Sequence, residues 1–152
     1  MADPISTADQ LIDRYGAKRE ALVQILLGVQ KELRWLPRPV LLHTAKRLGV
    51  TLAQIFNVVT FYKHFSLVPQ GRHQVSVCLG TACHVRGASK LLDRVEKAVK
   101  LKPGETTGDE KFSLHTVNCV GCCALGPVMV MDGEYLSNPT PNELDALVAR
   151  CD

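Results

Sequence analysis

The chain has 152 residues, of which 46% are apolar and 22% are charged, and its formal net charge is +3. This length predicts one globular domain or two small ones, and the weak charge argues against a protein that binds nucleic acid or an anionic membrane surface. The longest apolar run, ALVQILLGV, is too short to cross a bilayer, and MADPISTADQ lacks the pattern of a signal peptide, so we expect a cytoplasmic protein without direct membrane insertion.

The N-terminal half predicts four helices joined by short connections. Apolar residues recur at three- and four-residue intervals, and Gly or Pro ends or follows each of the first three segments. The predicted helices span residues 7–16, 18–33, 38–48 and 52–64. Capping boxes are expected at Thr7 with Gln10 and at Thr51 with Gln54. These segments predict a small helical unit that ends near the turn Val68-Pro69-Gln70-Gly71.

The C-terminal half predicts a mixture of strands and helices. We expect strands at 73–78, 111–118, 128–131 and 134–137, a loop at 80–87, and helices at 88–101 and 141–150. Asp132-Gly133 is a strong hairpin signal, and Thr140 with Glu143 forms a capping box for the last helix. The predicted fold class is α+β, with a helical domain at 1–70 followed by an α/β domain with a small sheet at 71–152.

Five of the six cysteines fall in two short motifs, VSVCLGTACHVRG and LHTVNCVGCCALGP. Four residues separate Cys78 from Cys83, three separate Cys119 from Cys123, and 35 residues lie between the pairs. In a reducing compartment such clusters are more often metal ligands than disulfides. A [2Fe–2S] cluster takes four thiolates, two on each iron. Each pair is therefore a candidate for binding one iron of a single cluster.

Spacing alone leaves alternatives open. Zinc also binds paired thiolates with two to four intervening residues, which would make the chain a zinc-stabilised interaction or assembly module. Cys119-Val-Gly-Cys122 is formally a C-x-x-C motif, and this motif also serves thiol–disulfide oxidoreductases. Cys122 makes the second pair ambiguous, because Cys119 has two possible partners in Cys122 and Cys123.

Glycine residues flank both cysteine motifs. They permit backbone shapes that bring N–H groups close to the sulfurs, and such hydrogen bonds influence the potential of a cluster. The glycines concerned are Gly80, Gly87, Gly121 and Gly126.

Other candidate residues have plainer interpretations. His84 follows Cys83 directly and is expected beside the site or on the surface rather than as a ligand. Four basic residues share one side of the segment after the first motif, and we expect a solvated face, with a docking surface for an acidic partner as the alternative. These residues are Arg86, Lys90, Arg94 and Lys97. Neither G-x-G-x-x-G nor G-x-x-x-x-G-K-[ST] occurs, so no nucleotide fingerprint is present.

The segments VCLGTACHVRGA and NCVGCCALGP resemble the thioredoxin-like [2Fe–2S] ferredoxin family, which includes the 24 kDa-type subunit of NADH:quinone oxidoreductase. It also includes the small subunits of NAD-linked formate dehydrogenases and of NAD(P)-linked or electron-bifurcating hydrogenases. Upstream, VQILLGVQKELRWLP and VVTFYKHF are similar to the family's helical part, so the resemblance runs from about Leu22 to the end of the chain.

The resemblance implies a helical domain followed by a thioredoxin-like domain with a small mixed sheet, and one [2Fe–2S] cluster held by Cys78, Cys83, Cys119 and Cys123. It departs from the family at Cys122, where a small residue is more common. The implied role is the exchange of single electrons with a partner subunit that binds FMN and NAD(H). The chain alone is not expected to be catalytic. A larger iron–sulfur, hydrogenase or dehydrogenase subunit is also implied. We favour a soluble hydrogenase, including the electron-bifurcating kind, or a formate dehydrogenase over the respiratory enzyme.

Overall fold

The computed structural model describes residues 3–151, and the first part of the chain forms four α-helices. They are α1 (Pro4–Arg14), α2 (Leu22–Leu33), α3 (Arg38–Leu48) and α4 (Leu52–Phe61). Helix α1 packs against α2 and α3, and α3 packs against α4. The helices enclose fully buried aliphatic side chains, among them Ile12, Ile25, Leu26, Leu41 and Ile55. Each contributes about 1.5–3 kcal/mol by leaving water, so packing stabilises helices that would be marginal alone.

The ends of these helices confirm some predictions and correct others. Helix α3 has the predicted bounds, and the capping box of Thr51 with Gln54 is present. The predicted start of the first helix was wrong. The Asp3 side chain accepts a hydrogen bond from the Ile5 N–H, and Pro4 occupies the first helical position, so α1 begins earlier than Thr7. An aspartate followed by proline is itself a good start signal.

Two further predicted helix bounds were too wide. The segment predicted at 18–33 opens with a short 3₁₀ turn, Arg19–Ala21, before α2 begins. The helix predicted at 52–64 ends at Phe61, because Tyr62 adopts an extended backbone with ψ 112°. None of the helices in residues 3–151 combines the length and apolar character needed to cross a membrane.

The second part of the chain is built on a sheet. Its strands within the described residues are β1 (His73–Cys78), β2 (Phe112–Val117), β3 (Val128–Met131) and β4 (Glu134–Ser137), in the spatial order β2-β1-β3-β4. Strands β1 and β2 are parallel, whereas β3 runs antiparallel to both β1 and β4. The sheet is therefore mixed, which confirms the predicted α+β class. The predicted hairpin is also confirmed, with Asp132 and Gly133 both at positive φ.

Three helices accompany the sheet: α5 (Thr81–Val85), α6 (Ala88–Val99) and α7 (Pro141–Arg150). The predicted loop at 80–87 was wrong in part, since it contains α5, which begins directly after Gly80. Helix α6 ends at Val99 rather than at the predicted residue 101, because the next residue, Lys100, takes a left-handed φ of 56°. The capping box of Thr140 with Glu143 is present at the start of α7.

Each part of the chain has a hydrophobic core of its own. The sheet residues Val75, Val77, Leu114 and Met129 are buried with Leu91 and other residues of α6, separately from the helical core. The chain accordingly divides into two compact units, one up to Pro69 and one from Gln70 onward. Residues 1, 2 and 152, which the predicted domain ranges include, lie outside the described residues.

Candidate metal centre

The topology of the sheet brings the two cysteine motifs to the same edge. Cys78 is the last residue of β1 and is paired with Val117, the last residue of β2. Because β1 and β2 are parallel, their carboxyl ends meet, and the segments that follow both strands leave the sheet together. Strand β3 is antiparallel to β1 and begins at this edge with Val128. The 35 residues between the two cysteine pairs thus include the crossover through α6.

The four predicted thiols come together at this edge as two contacting pairs. Cys78 hydrogen-bonds with Cys83, and Cys119 hydrogen-bonds with Cys123. Electrostatic interactions link the pairs, because the thiol of Cys123 interacts with both Cys78 and Cys83. The structure therefore joins residues that the sequence separates, and it does so through backbone topology rather than through local spacing.

Backbone N–H groups point at the sulfurs of both pairs. Gly121 N donates to Cys119 Sγ at 3.3 Å, the amides of Gly80 and Val120 donate to Cys78, and the amide of Val128 donates to Cys83. Hydrogen bonds of this kind favour the charged form of a thiol. They also stabilise a negatively charged metal–sulfur centre, whatever its nuclearity.

The pKa values within the buried pair are pushed apart. Burial acts to raise the pKa of the Cys78 thiol, but hydrogen bonds from the Gly80 and Val120 amides and from Cys83 outweigh it, so that pKa is lowered. Burial and the hydrogen bond with Cys78 raise the pKa of Cys83. In the exposed pair, the hydrogen bond and the charge of Cys119 raise the pKa of Cys123. Such opposed shifts are typical of thiols that compete for one proton.

The two pairs differ in their exposure to solvent. Cys78 and Cys83 are each only 2% exposed and pack with Ala88 in a small apolar cluster. Cys119 and Cys123 are exposed, and Cys122 between them is partly buried. Neighbouring His84 is exposed and has a long contact to Ser89 Oγ at 3.5 Å, which agrees with a surface role.

Two glycines allow the loops to approach each other closely. A Cβ atom added to Gly80 would lie 2.3 Å from the backbone oxygen of Asn118, next to Cys119. A Cβ added to Gly126 would lie 3.0 Å from Cys83 Sγ. A side chain at Gly80 would therefore force the two motifs apart, and one at Gly126 would press on a thiol. The other two predicted glycines, Gly87 and Gly121, have open space around them and adopt positive φ values instead.

Two side chains hold the second motif through contacts that the sequence did not predict. Arg86 Nη1 donates to the backbone oxygens of Cys123 at 2.8 Å and Ala124 at 3.0 Å. Ser137 Oγ donates to the backbone oxygen of Leu125 at 2.7 Å. The spacing of residues in the sequence carries no signal for these contacts, because Arg86 lies 37 residues before its partner.

The predicted basic face is only partly solvated. Besides Arg86, Arg94 binds its own chain, with Nη1 donating to the Pro139 oxygen at 2.9 Å and Nη2 to Asn138 Oδ1 at 2.7 Å. Arg86 is exposed and Arg94 is partly buried, and both arginines also bind backbone or side-chain oxygens of their own chain, which the prediction of a solvated face did not include. Lys90 and Lys97 remain as the exposed or partly exposed cations of this face.

The donor set fits a two-iron cluster. The thiols form two contacting pairs, and backbone donors face the sulfurs of both pairs. Two thiolates for each of two irons is the arrangement that a Cys₄ [2Fe–2S] cluster needs.

Comparison with known proteins agrees with this geometry. Residues 8–152 match the family described as thioredoxin-like [2Fe–2S] ferredoxin. The chain is 37% identical over 140 residues to the HndA component of the NADP-reducing hydrogenase of Solidesulfovibrio fructosivorans, covering 92% of this chain and 82% of that protein. It is 38% identical over 135 residues to the E 2 component of the NADH-quinone oxidoreductase of Rhizobium meliloti, covering 89% of this chain and 80% of that protein.

A solved structure shares the fold. The crystal structure of an NAD⁺-reducing [NiFe]-hydrogenase in the air-oxidized state aligns with a TM-score of 0.71 and 20% sequence identity. The alignment covers 86% of this chain but only 22% of the hydrogenase chain. At this identity the likeness concerns the fold alone.

Proposed function

The chain belongs to the thioredoxin-like [2Fe–2S] ferredoxin family, and from this premise we propose that it is the electron-transfer subunit of a multi-subunit NAD(H)-linked oxidoreductase. The observation that carries the proposal is the meeting of two thiol pairs at one edge of the sheet. Relatives that align over most of their length are subunits of an NADP-reducing hydrogenase and of NADH-quinone oxidoreductase. In this proposal, residues 1–70 form the helical domain and residues 71–152 the cluster domain.

The cluster ligands in this proposal are Cys78, Cys83, Cys119 and Cys123. Contact within each pair supports assigning Cys78 and Cys83 to one iron and Cys119 and Cys123 to the other. The second assignment favours Cys123 over Cys122, because Cys123 is the thiol that contacts Cys119 and interacts with the first pair. Cys122 is then a neighbouring thiol without a role in binding iron.

When bound, a [2Fe–2S] cluster takes up and gives back a single electron at a time. The chain's part is to hold the thiolates and to compensate their negative charge. The amides of Gly80, Gly121 and Val128 donate to sulfur, which stabilises added negative charge. Exposure of Cys119 and Cys123 leaves one side of the site open to a redox partner, whereas burial of the other pair shields it from water.

The finer proposal concerns the complex. We infer an FMN- and NAD(H)-binding flavoprotein subunit as the electron partner, with a larger hydrogenase, dehydrogenase or iron–sulfur subunit beside it. A soluble hydrogenase, including the electron-bifurcating kind, or a formate dehydrogenase is favoured. Similarity to HndA supports the hydrogenase type, and similarity to the NADH-quinone oxidoreductase component of Rhizobium meliloti supports the respiratory alternative.

The test of cluster binding is spectroscopic. Anaerobically purified protein should be brown, contain about two irons and two sulfides per chain, and give an EPR signal only after reduction by dithionite. A colourless protein with stoichiometric zinc would instead indicate an assembly module. A metal-free protein that reduces disulfides would indicate a thiol–disulfide oxidoreductase.

The test of the complex is biochemical. Affinity-tagged chain expressed in its native cell should co-purify with a flavoprotein, and the purified complex should be assayed with NAD⁺ against hydrogen, formate and a quinone. Hydrogen- or formate-dependent reduction of NAD⁺ would support the finer proposal. Activity confined to NADH and quinone would assign the chain to the respiratory type.

A further inference from the structure

The turn that carries Cys123 has little support from the hydrophobic core. The 3₁₀ turn Cys123–Leu125 contains no buried residue, and Cys123, Ala124 and Leu125 are all exposed. Segments with few buried contacts open at low free-energy cost. Val120 packs against the apolar cluster of the buried pair, which anchors the segment beside Cys119. The turn that contains Cys123 must be held to the buried pair by something other than core packing.

Arg86 provides that support. Its Nη1 lies 2.8 Å from the Cys123 oxygen and 3.0 Å from the Ala124 oxygen, so one cationic nitrogen binds two successive carbonyls of the turn. Hydrogen bonds with an ionised donor are roughly twice as strong as neutral ones. The Cys123 oxygen also accepts from the Gly126 N–H at 3.3 Å. Arg86 therefore adds a second hydrogen bond at that oxygen and binds the Ala124 oxygen as well.

Arg86 belongs to the segment that carries the buried thiol pair. Arg86 is the C-terminal cap of α5, three residues after Cys83, and its backbone N–H is bonded to the Ala82 oxygen. Its main chain is therefore fixed to the buried thiol pair, while its side chain is fixed to the exposed pair. The contact is a bridge between the two motifs and is separate from the thiols themselves.

We propose that Arg86 is a positioning residue that holds the Cys119–Cys123 pair against the Cys78–Cys83 pair and so slows loss of the cluster. The inference rests on the proposed function, because it takes the four thiols as ligands. The bridge itself exists in the polypeptide without a cluster, and this allows the two ideas to be tested separately.

The experiment compares three variants. Arg86→Gln removes the cation and the double contact, Arg86→Lys keeps the charge but offers a less suitable geometry, and Lys90→Gln removes a nearby exposed charge without touching the turn. Release of the cluster to an iron chelator is followed by the loss of visible absorption. We expect release about tenfold faster in Arg86→Gln, the effect of losing a charge-assisted hydrogen bond, with Arg86→Lys intermediate and Lys90→Gln unchanged.

Two readouts separate positioning from general stability. The EPR spectrum of the reduced cluster should change in Arg86→Gln, since the Cys123 backbone is released, and should be unchanged in Lys90→Gln. In the reduced, metal-free chain, amide exchange at Leu125 and Gly126 should be about tenfold faster in Arg86→Gln than in wild type, while exchange in β1 stays the same.

The outcomes are distinct. Release from Arg86→Gln at the wild-type rate, or equal acceleration by Lys90→Gln, would overturn the inference, the second because it would assign the effect to charge alone. If Arg86→Gln does not accumulate as folded protein, the same comparison is made with Arg86→Lys. If wild-type protein lacks iron and sulfide, the proposed function fails, and the exchange experiment on the metal-free chain still decides whether Arg86 holds the turn.

Discussion

The two thiol pairs are built by different physical means. Cys78 and Cys83 stand at the end of a central strand and inside a short helix, both buried. Cys119 and Cys123 lie in an exposed segment that Val120 anchors against the buried pair and that accepts hydrogen bonds from Arg86 and Ser137. The fold itself therefore positions one half of the site, while a few individual polar and apolar contacts position the other half.

The largest expected effect comes from removing ligands. Substitution of Cys78, Cys83, Cys119 or Cys123 by serine should abolish or strongly destabilise the cluster, because each iron needs two thiolates, and Cys122→Ser should leave it intact. Iron, sulfide and visible absorption are measured after anaerobic purification. Retention of a normal cluster in Cys123→Ser together with loss in Cys122→Ser would reverse the assignment of the second pair.

Thiol reactivity of the metal-free, reduced chain should sharpen the comparison. Cys119 and Cys123 are expected to react with a maleimide about a hundredfold faster than Cys78 and Cys83, the factor produced by a local opening cost of about 3 kcal/mol. Mass spectrometry of peptides taken at successive times identifies the order of modification. Equal rates at all four thiols would show that the buried pair is no better protected than the exposed one.

Close approach of the two motifs is tested at Gly80. Gly80→Ala places a methyl group against the Asn118 backbone oxygen, which we expect to destabilise the sheet unit by about 1–3 kcal/mol and to lower cluster content. Gly108→Ala is the matched control, since a Cβ there meets nothing within 4 Å. Thermal unfolding and iron content are measured for both, and similar behaviour of the two variants would contradict the importance of this contact.

The smallest expected effect comes from removing the Ser137 hydrogen bond to the exposed motif. Ser137→Ala removes the hydrogen bond to the Leu125 oxygen and should cost about 1 kcal/mol locally, with faster amide exchange at Leu125 and Gly126 but a normal cluster content. Thr107→Ala, which removes polar contacts elsewhere in the sheet unit, serves as a control for exchange in this turn. Loss of the cluster in Ser137→Ala would mean that the Ser137 hydrogen bond contributes more to cluster retention than the Arg86 contacts do.

The sequence predicted those parts of the fold that local chemistry determines. Strand β1, the hairpin at Asp132-Gly133 and the capping boxes at Thr51 and Thr140 follow from alternation, turn propensity and side-chain capping. Helix α5 was missed because five residues are too few to show a periodicity.

The sequence predicted which cysteines are candidate ligands but not the contacts that hold them in place. Cysteine spacing did not distinguish Cys122 from Cys123 as a ligand, and it did not exclude zinc. The family resemblance favoured Cys123 and a [2Fe–2S] cluster. The pairing of Cys78 with Val117 depends on a parallel sheet, and the Arg86 contacts depend on how distant segments meet. No local pattern encodes either feature, because both arise from the assembled chain.

The parallel pairing of β1 and β2 also has a consequence for the order of events during synthesis. Parallel neighbours require a crossover, and here 35 residues separate the two cysteine pairs. A ribosome that has released only the first motif exposes two thiols with no counterpart, and the full donor set exists only after α6, β2 and the second motif have emerged. Cluster insertion is therefore a late step, and its binding free energy becomes folding free energy for the sheet unit.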